Sequence, residues 1–169
     1  MRVFAAIKFH TADRQCLPVE NAFICPKRRR CVMSECIFCS FAQRKIPCEL
    51  VYSSRNTMAF LDIAPVHPGH VLVIPKAHHP TLWDLPAGLG EEMLETMQKV
   101  SKALVRAVNA QGLNVVMNNH KAAGQLVEHA HFHLIPRYEN DGLRAWPQSS
   151  YPSSEEMRAV ADLIKKELA

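Results

Sequence analysis

The stretch EHAHFHLIPRY (residues 128–138) places His129, His131 and His133 at every second position. Alternation of this kind predicts a strand, whose successive side chains point to opposite faces. The three imidazoles then share one face. Ala130, Phe132 and Leu134 share the other, which is expected to pack inward. One histidine on a strand needs no more explanation than water or a hydrogen bond. Three in a row, followed by apolar Leu134-Ile135-Pro136, call for a chemical role. From the residues alone two roles stand open. Neutral imidazoles on alternate strand positions can converge on zinc. Alternatively, an unprotonated imidazole, with an ordinary pKa of about 6.5, is a competent nucleophile near neutral pH. Flanking rings can then carry phosphate charge, and phosphoryl transfer needs mainly positioning and charge stabilisation.

Around this row the chain reads as one α+β domain with a mainly antiparallel sheet. The 169 residues, 48% of them apolar, suffice for one core. "ELVYSS", "TMAFLDIA", "HVLVIPK", "LNVVMNN" and "HAHFHLIPR" read as strands, several of them separated by hairpin-length links. "FCSFAQRKI" reads as a short N-terminal helix stopped at Pro47. Met93, Met97, Val100, Leu104 and Val108 recur at three- and four-residue spacing, which predicts one long amphipathic helix ended near Gly112. "SSEEMRAVADLIKKELA" predicts a C-terminal helix with a serine cap, early Glu and late Lys. "APVHPGH" is a Pro- and Gly-rich turn.

No apolar run approaches the roughly 18 residues of a membrane span, and the first residues lack the pattern of a signal peptide, so a cytoplasmic protein is expected. The formal charge of +4 is uneven. Residues 1–34 hold seven Lys/Arg against two Asp/Glu, whereas the remainder holds 13 against 14. The basic excess sits in "PKRRR" (26–30), and the body gives no composition argument for nucleic-acid binding. Residues 1–34 are expected to be an extension, disordered or an over-long gene start. Residues 35–140 are expected to form the functional domain, and 141–169 a C-terminal tail and helix.

Taken together, the motifs resemble the histidine triad (HIT) superfamily, in its bacterial Hint-like branch. "HAHFHLI" is similar to the signature His-φ-His-φ-His-φ-φ. "LDIAPVHPGH" and the Gly124-Gln125 pair occur in the order that family shows, and the likeness spans roughly residues 35–140. No Walker-type loop appears. The resemblance implies a HIT-like fold and a hydrolase or nucleotidyl transferase. It would attack the α-phosphate of purine nucleotide phosphoramidates or dinucleoside polyphosphates, through a nucleotidyl-histidine intermediate. His131 matches the nucleophile. His133 matches the donor to the phosphate, His129 a supporting group, and His70 a further active-site histidine. Asp62 matches the ribose-binding carboxylate, Ile63 and Phe60 lie near the base, and Asn118 and Gln125 match phosphate-contacting amides. A third histidine rather than Gln points to the hydrolases over the uridylyltransferase-like branch. A homodimer paired through the long helix and a central strand is also implied. One position departs from the pattern. Many Hint-like members carry Ser or Thr after the Gly-Gln pair, where its hydroxyl serves the phosphate or leaving group; here Leu126 follows. That departure sustains an alternative, a nucleotide-binding, zinc-stabilised interaction protein with little catalysis.

Cys36 and Cys39 form a C-x-x-C, which in a cytosolic chain reads as a metal or redox pair. Two ordinary thiols would also explain it. Some bacterial HIT proteins resemble this pattern and hold structural zinc, which implies the ligand set Cys36, Cys39, His78 and His129. His129 would then belong to zinc rather than to phosphate. His10, His67, His79 and His120 are expected at the surface.

Overall fold

The computed structural model describes residues 36–144 and 146–168, so the expectations for residues 1–34 lie outside it. A short helix α1 (Ile37–Ala42) leads into strands β1 (Leu50–Ser53), β2 (Thr57–Leu61) and β3 (Val71–Pro75). Helix α2 (Gly90–Ala107) follows, then β4 (Gly112–Val116), β5 (Phe132–Arg137) and α3 (Ser154–Leu168). The five strands form one sheet in the order β1-β2-β3-β5-β4, antiparallel at every pair. This is the expected α+β architecture, with all three helices where the sequence patterns put them.

Period-two burial divides the core into two layers. Ala59, Val71, Val73 and Leu134 point to one face and pack against Met93, Val100 and Leu104 of α2. Met58, Phe60, Leu72 and Ile74 point to the other and pack against Phe38 of α1. Strand β3 is buried on both faces, which explains why "VLVIP" shows no polar alternation. The turn before β3 is closed by the His70 N–H donating to the His67 carbonyl at 3.0 Å. Pro68 and Gly69 occupy its central positions, and Gly69 has a φ of +94°, the sign a type II turn demands there. At α3, Ser153 provides the cap: its Oγ accepts the Glu156 N–H at 3.2 Å. No residue of α3 is buried. Among the described residues no helix is long and apolar enough to cross a membrane.

Two expectations need correction. The strand read as "HAHFHLIPR" begins only at Phe132, so His129 and His131 precede the ladder. The side-chain alternation persists through Ala130 and Leu134, both fully buried, but β3 offers partners only from Phe132 onward. Ala130 N–H donates instead to the carbonyl of His79 at 2.6 Å, outside the sheet. Nor is the imidazole face an open polar side. His129 and His131 are buried because α1 covers them, with the Phe38 ring 5.8 Å from His129 and 5.3 Å from His131, edge to face.

Candidate active site and metal centre

His129, His131 and His133 divide between two clusters. His129 turns away from the other two. Its Nε2–H donates to the Pro75 carbonyl at 2.9 Å, which leaves the Nδ1 lone pair facing Cys36 Sγ at 3.4 Å and Cys39 Sγ at 3.6 Å. His78 Nδ1 lies 3.3 Å from Cys39 Sγ. The four ligand atoms of Cys36, Cys39, His78 and His129 all lie within 4.8 Å of one another. A tetrahedral site with metal–sulfur and metal–nitrogen bonds of about 2.3 and 2.0 Å separates its S and N ligands by about 3.5 Å. The observed separations match that figure. Burial, opposed by the Pro75 hydrogen bond and reinforced by neighbouring imidazoles, lowers the His129 pKa to about 4, so the ring is neutral as a ligand must be. A backbone carbonyl on the far nitrogen is the usual device for orienting a metal-bound imidazole. The donors therefore fit a divalent ion of zinc type.

His131 uses the peptide that carries His129. Its Nδ1–H donates to the His129 carbonyl at 2.6 Å, which fixes the tautomer and leaves the Nε2 lone pair free to attack. Its ring centre is 4.9 Å from that of His133. His133 is reached from the turn before β3. The Val66 N–H donates to His70 Nδ1 at 3.3 Å, so the proton of His70 sits on Nε2, which lies 2.9 Å from His133 Nδ1. His133 then accepts on Nδ1 and carries its own proton on Nε2, where it can donate to a phosphate oxygen. The sheet register enforces the meeting, because His133 pairs with Leu72 of β3, two residues from His70.

Asp62 Oδ2 stands 3.5 Å from His70 Nδ1 and favours a charged His70, but burial outweighs it and the His70 pKa is lowered. Burial likewise dominates at His133, with repulsion from His131 and His70 adding to it, and brings its pKa to about 4. His133 is thus neutral at pH 7 and keeps its single proton for donation from Nε2.

The remaining sequence candidates fall into place unevenly. Asp62 Oδ1 accepts the Ala64 N–H at 2.9 Å, and Ile63 beside it is fully exposed. Phe60 is buried in an aromatic layer with Phe38 and Phe41, ring centres 5.4 and 5.1 Å away. Asn118 lies beside Gly124, whose φ of +88° turns the loop; a Cβ there would sit 3.6 Å from Asn118 Nδ2. The Gln125 amide bonds backbone at both ends: its Oε1 accepts the His120 N–H at 2.7 Å and its Nε2 donates to the Pro80 carbonyl at 2.6 Å, which leaves one Nε2–H over. These two bonds shape the loop. His67 is half-buried, 3.5 Å from Asp141 and edge-on to Tyr138, and His79 is also half-buried, whereas His120 is exposed as expected. Sequence reasoning missed Phe38, the ring that covers both His129 and His131. Its signal was present, an aromatic inside the C-x-x-C, but only the fold shows what it lies against.

This geometry agrees with what the chain is similar to. Residues 43–140 match the family described as HIT domain. The adenosine 5′-monophosphoramidase of Schizosaccharomyces pombe is 40% identical over 136 residues, which cover 79% of this chain and 98% of that protein. The crystal structure of a HIT family member from Bacillus subtilis superposes with a TM-score of 0.73 at 36% identity, covering 79% of this chain and 97% of that one. A zinc-bound histidine triad family protein from Mycobacterium smegmatis gives 0.61 at 34% identity, covering 78% and 96%. The sheet order, the histidine row and these matches agree: this chain is a member of the HIT family.

Proposed function

We propose that the protein is a nucleotide hydrolase that attacks the α-phosphate of purine nucleotide phosphoramidates or dinucleoside polyphosphates. The observation that carries this reading is the His131 ring. It is held by a carbonyl on one nitrogen, neutral neighbours surround it, and a lone pair remains on the other. In the phosphoramidate case the Nε2–phosphorus bond forms as the phosphorus–nitrogen bond breaks. The amine departs as it takes up a proton from solvent water, while the His133 Nε2–H donates a hydrogen bond to the phosphate oxygens. Water then attacks phosphorus, the Nε2–phosphorus bond breaks, the proton of the attacking water passes to solvent, and the nucleoside monophosphate leaves. Asp62 would hold ribose hydroxyls, Ile63 and Phe60 would border the base, and Asn118 with Gln125 would frame the phosphate. The fission yeast relative is named for cleavage of an adenosine 5′-monophosphoramide, which supports the substrate class.

The same reading places zinc on Cys36, Cys39, His78 and His129, where the ion would tie α1 to the segment entering β5; the zinc-bound relative supports it. Thiolate ligands persist in a reducing compartment, in keeping with a cytoplasmic protein. We place the catalytic unit in residues 35–140, with 141–169 as a C-terminal addition. Pairing of two copies through α2 and edge strand β4 is supported by exposed Leu94 and Val115.

The alternative, a zinc-stabilised nucleotide-binding protein with little catalysis, is favoured by one residue: Leu126 offers no proton where related chains carry a hydroxyl. Adenosine 5′-phosphoramidate separates the two. The hydrolase reading expects turnover in the wild type and its loss in His131→Ala, with the circular dichroism spectrum and nucleotide binding retained. Turnover that survives His131→Ala would refute the nucleophile, and a wild type that binds but does not turn over would establish the alternative.

A further inference from the structure

The turn that carries His70 meets β5 at two places. One belongs to the histidine row, where the His70 Nε2–H donates to His133 Nδ1 at 2.9 Å. The other lies earlier in the turn, on a ring that the chemistry above does not use. His67 Nε2 is buried, makes no hydrogen bond, and stands 3.5 Å from Asp141 Oδ2. The His67 ring also meets Tyr138 edge-on, centres 5.5 Å apart at 88°. Tyr138 and Asp141 form the turn that follows Arg137, the last residue of β5, with the Asp141 N–H donating to the Tyr138 carbonyl at 3.2 Å. The turn before β3 therefore touches β5 near its start, at His133, and just past its end.

The far attachment is fixed. The Asp141 carboxylate accepts the Arg137 Nε–H at 2.6 Å and Nη2–H at 2.7 Å, and the N–H groups of Tyr138 and Leu143 at 3.2 and 2.9 Å. The Arg137 hydrogen bonds hold its pKa well below the usual carboxylate range, so it is charged at neutral pH. The Tyr138 hydroxyl donates to the Val108 carbonyl at 3.0 Å, and Val108 packs against Gly69, where an added Cβ would stand 3.0 Å from its Cγ1. The near attachment is short. The His67 carbonyl accepts the His70 N–H at 3.0 Å, and the Val66 N–H donates to His70 Nδ1 at 3.3 Å. Backbone on both sides of the His67 ring thus sets the place and the tautomer of His70. A buried nitrogen without a hydrogen bond is rare in a native fold. At 3.5 Å its contact with Asp141 is too long for a hydrogen bond, yet a proton on that nitrogen is still attracted to the carboxylate.

We propose that His67 is a positioning residue: its ring, set between Asp141 and Tyr138, clamps the turn before β3 to the end of β5, so that His70 stays aimed at His133 and His133 keeps its proton on Nε2. Arg137 already neutralises Asp141, so His67 contributes a polar ring of the right shape and not a needed charge. Without the clamp, the turn is tied to β5 through His70 alone. His70 then drifts, the His133 Nδ1 loses its donor, and the His133 proton divides between the two nitrogens. The kinetic consequence rests on the hydrolase reading above; the tautomer of His133 does not.

Two readouts on the full chain test the assignment: histidine 15N resonances, which report the tautomer of His133, and turnover of adenosine 5′-phosphoramidate. In the wild type His133 should show one tautomer, with its proton on Nε2. His67→Leu breaks no hydrogen bond at Nε2, yet it should give mixed tautomers at His133 and lower kcat at least about tenfold, with KM changed by less than about twofold. His67→Gln, whose side-chain N–H reaches the place of Nε2, should restore the single tautomer and most of kcat. Tyr138→Leu removes the edge contact and leaves His67 in place, and should move both readouts in the direction of His67→Leu. A fall in thermal stability of His67→Leu with the His133 tautomer and kcat unchanged would overturn the proposal and leave the ring a merely structural one. Equal losses in His67→Gln and His67→Leu would overturn it too. A wild type without turnover would overturn the hydrolase reading, and the tautomer spectra would still decide the role of His67.

Discussion

Replacing Gly69 by alanine tests how the turn before β3 aims His70 at His133. Gly69 has a φ of +94°, and a Cβ built there would stand 3.0 Å from Leu104 Cδ1 and 3.0 Å from Val108 Cγ1 of the α2 region. Two costs follow. An L-residue at positive φ loses about 1 kcal/mol relative to glycine. The contacts add about 1–2 kcal/mol, because the leucine methyl can swing aside but β-branched Val108 is stiff about χ1. The sum, about 2–3 kcal/mol, is a large part of the roughly 5–15 kcal/mol that holds an ordinary domain together. Urea unfolding should show that loss, and thermal unfolding a fall of about 5–10 °C. Since His70 follows Gly69 directly, turnover of an adenosine phosphoramidate should fall as well. Combining Gly69→Ala with Val108→Ala separates the causes. If packing contributes as reasoned, the double variant is more stable than the sum of the single effects by about 1 kcal/mol. A Gly69→Ala loss below about 0.5 kcal/mol, or strict additivity in the double variant, would refute the reasoning.

Two further predictions concern the metal and proton balance of the site. Cys36→Ser should reduce bound zinc from near one ion per chain to a small fraction, measured by atomic absorption after gel filtration; undiminished zinc would remove Cys36 from the ligand set. Burial lowers the pKa of both His70 and His133, the latter to about 4, against about 6.5 in an unfolded chain. The unfolded state therefore takes up protons first, and stability should decline as the pH falls from about 6.5 towards 4, by at most about 1.4 kcal/mol per pH unit for each histidine. Urea midpoints measured across that window should flatten in His133→Asn, and a wild-type midpoint independent of pH would contradict the buried neutral ring.

The fold was legible because its signals are periodic and local. Period-two runs place the strands, the Met93–Val108 stripe places α2, and Pro68-Gly69 marks the turn. The meeting of Cys36, Cys39, His78 and His129 was legible only through resemblance, since nothing local joins Cys36 to His129 across 93 residues. The extent of the last strand was not legible. The alternation of Ala130, Phe132 and Leu134 continues past the point where β3 stops supplying partners, and where a neighbouring strand stops is a property of that neighbour. What covers the histidine face was not legible for a related reason. A period-two pattern says which residues share a face, but α1 decides what covers it, and Phe38 turns that face into a second core.

The early end of the ladder has a functional consequence at His129. Inside a regular strand its carbonyl would be committed to a neighbouring strand's N–H. Ahead of the ladder, that carbonyl is available to accept the His131 Nδ1–H at 2.6 Å, while the ring of the same residue faces the thiols of Cys36 and Cys39. A buried carbonyl still needs a donor, and the His131 Nδ1–H supplies it. The irregular backbone and the His131 tautomer therefore support each other. Any change that pulls His129 into the sheet, or lets its peptide rotate when the Cys36–Cys39–His78–His129 cluster is broken, must release the ring of His131 as well.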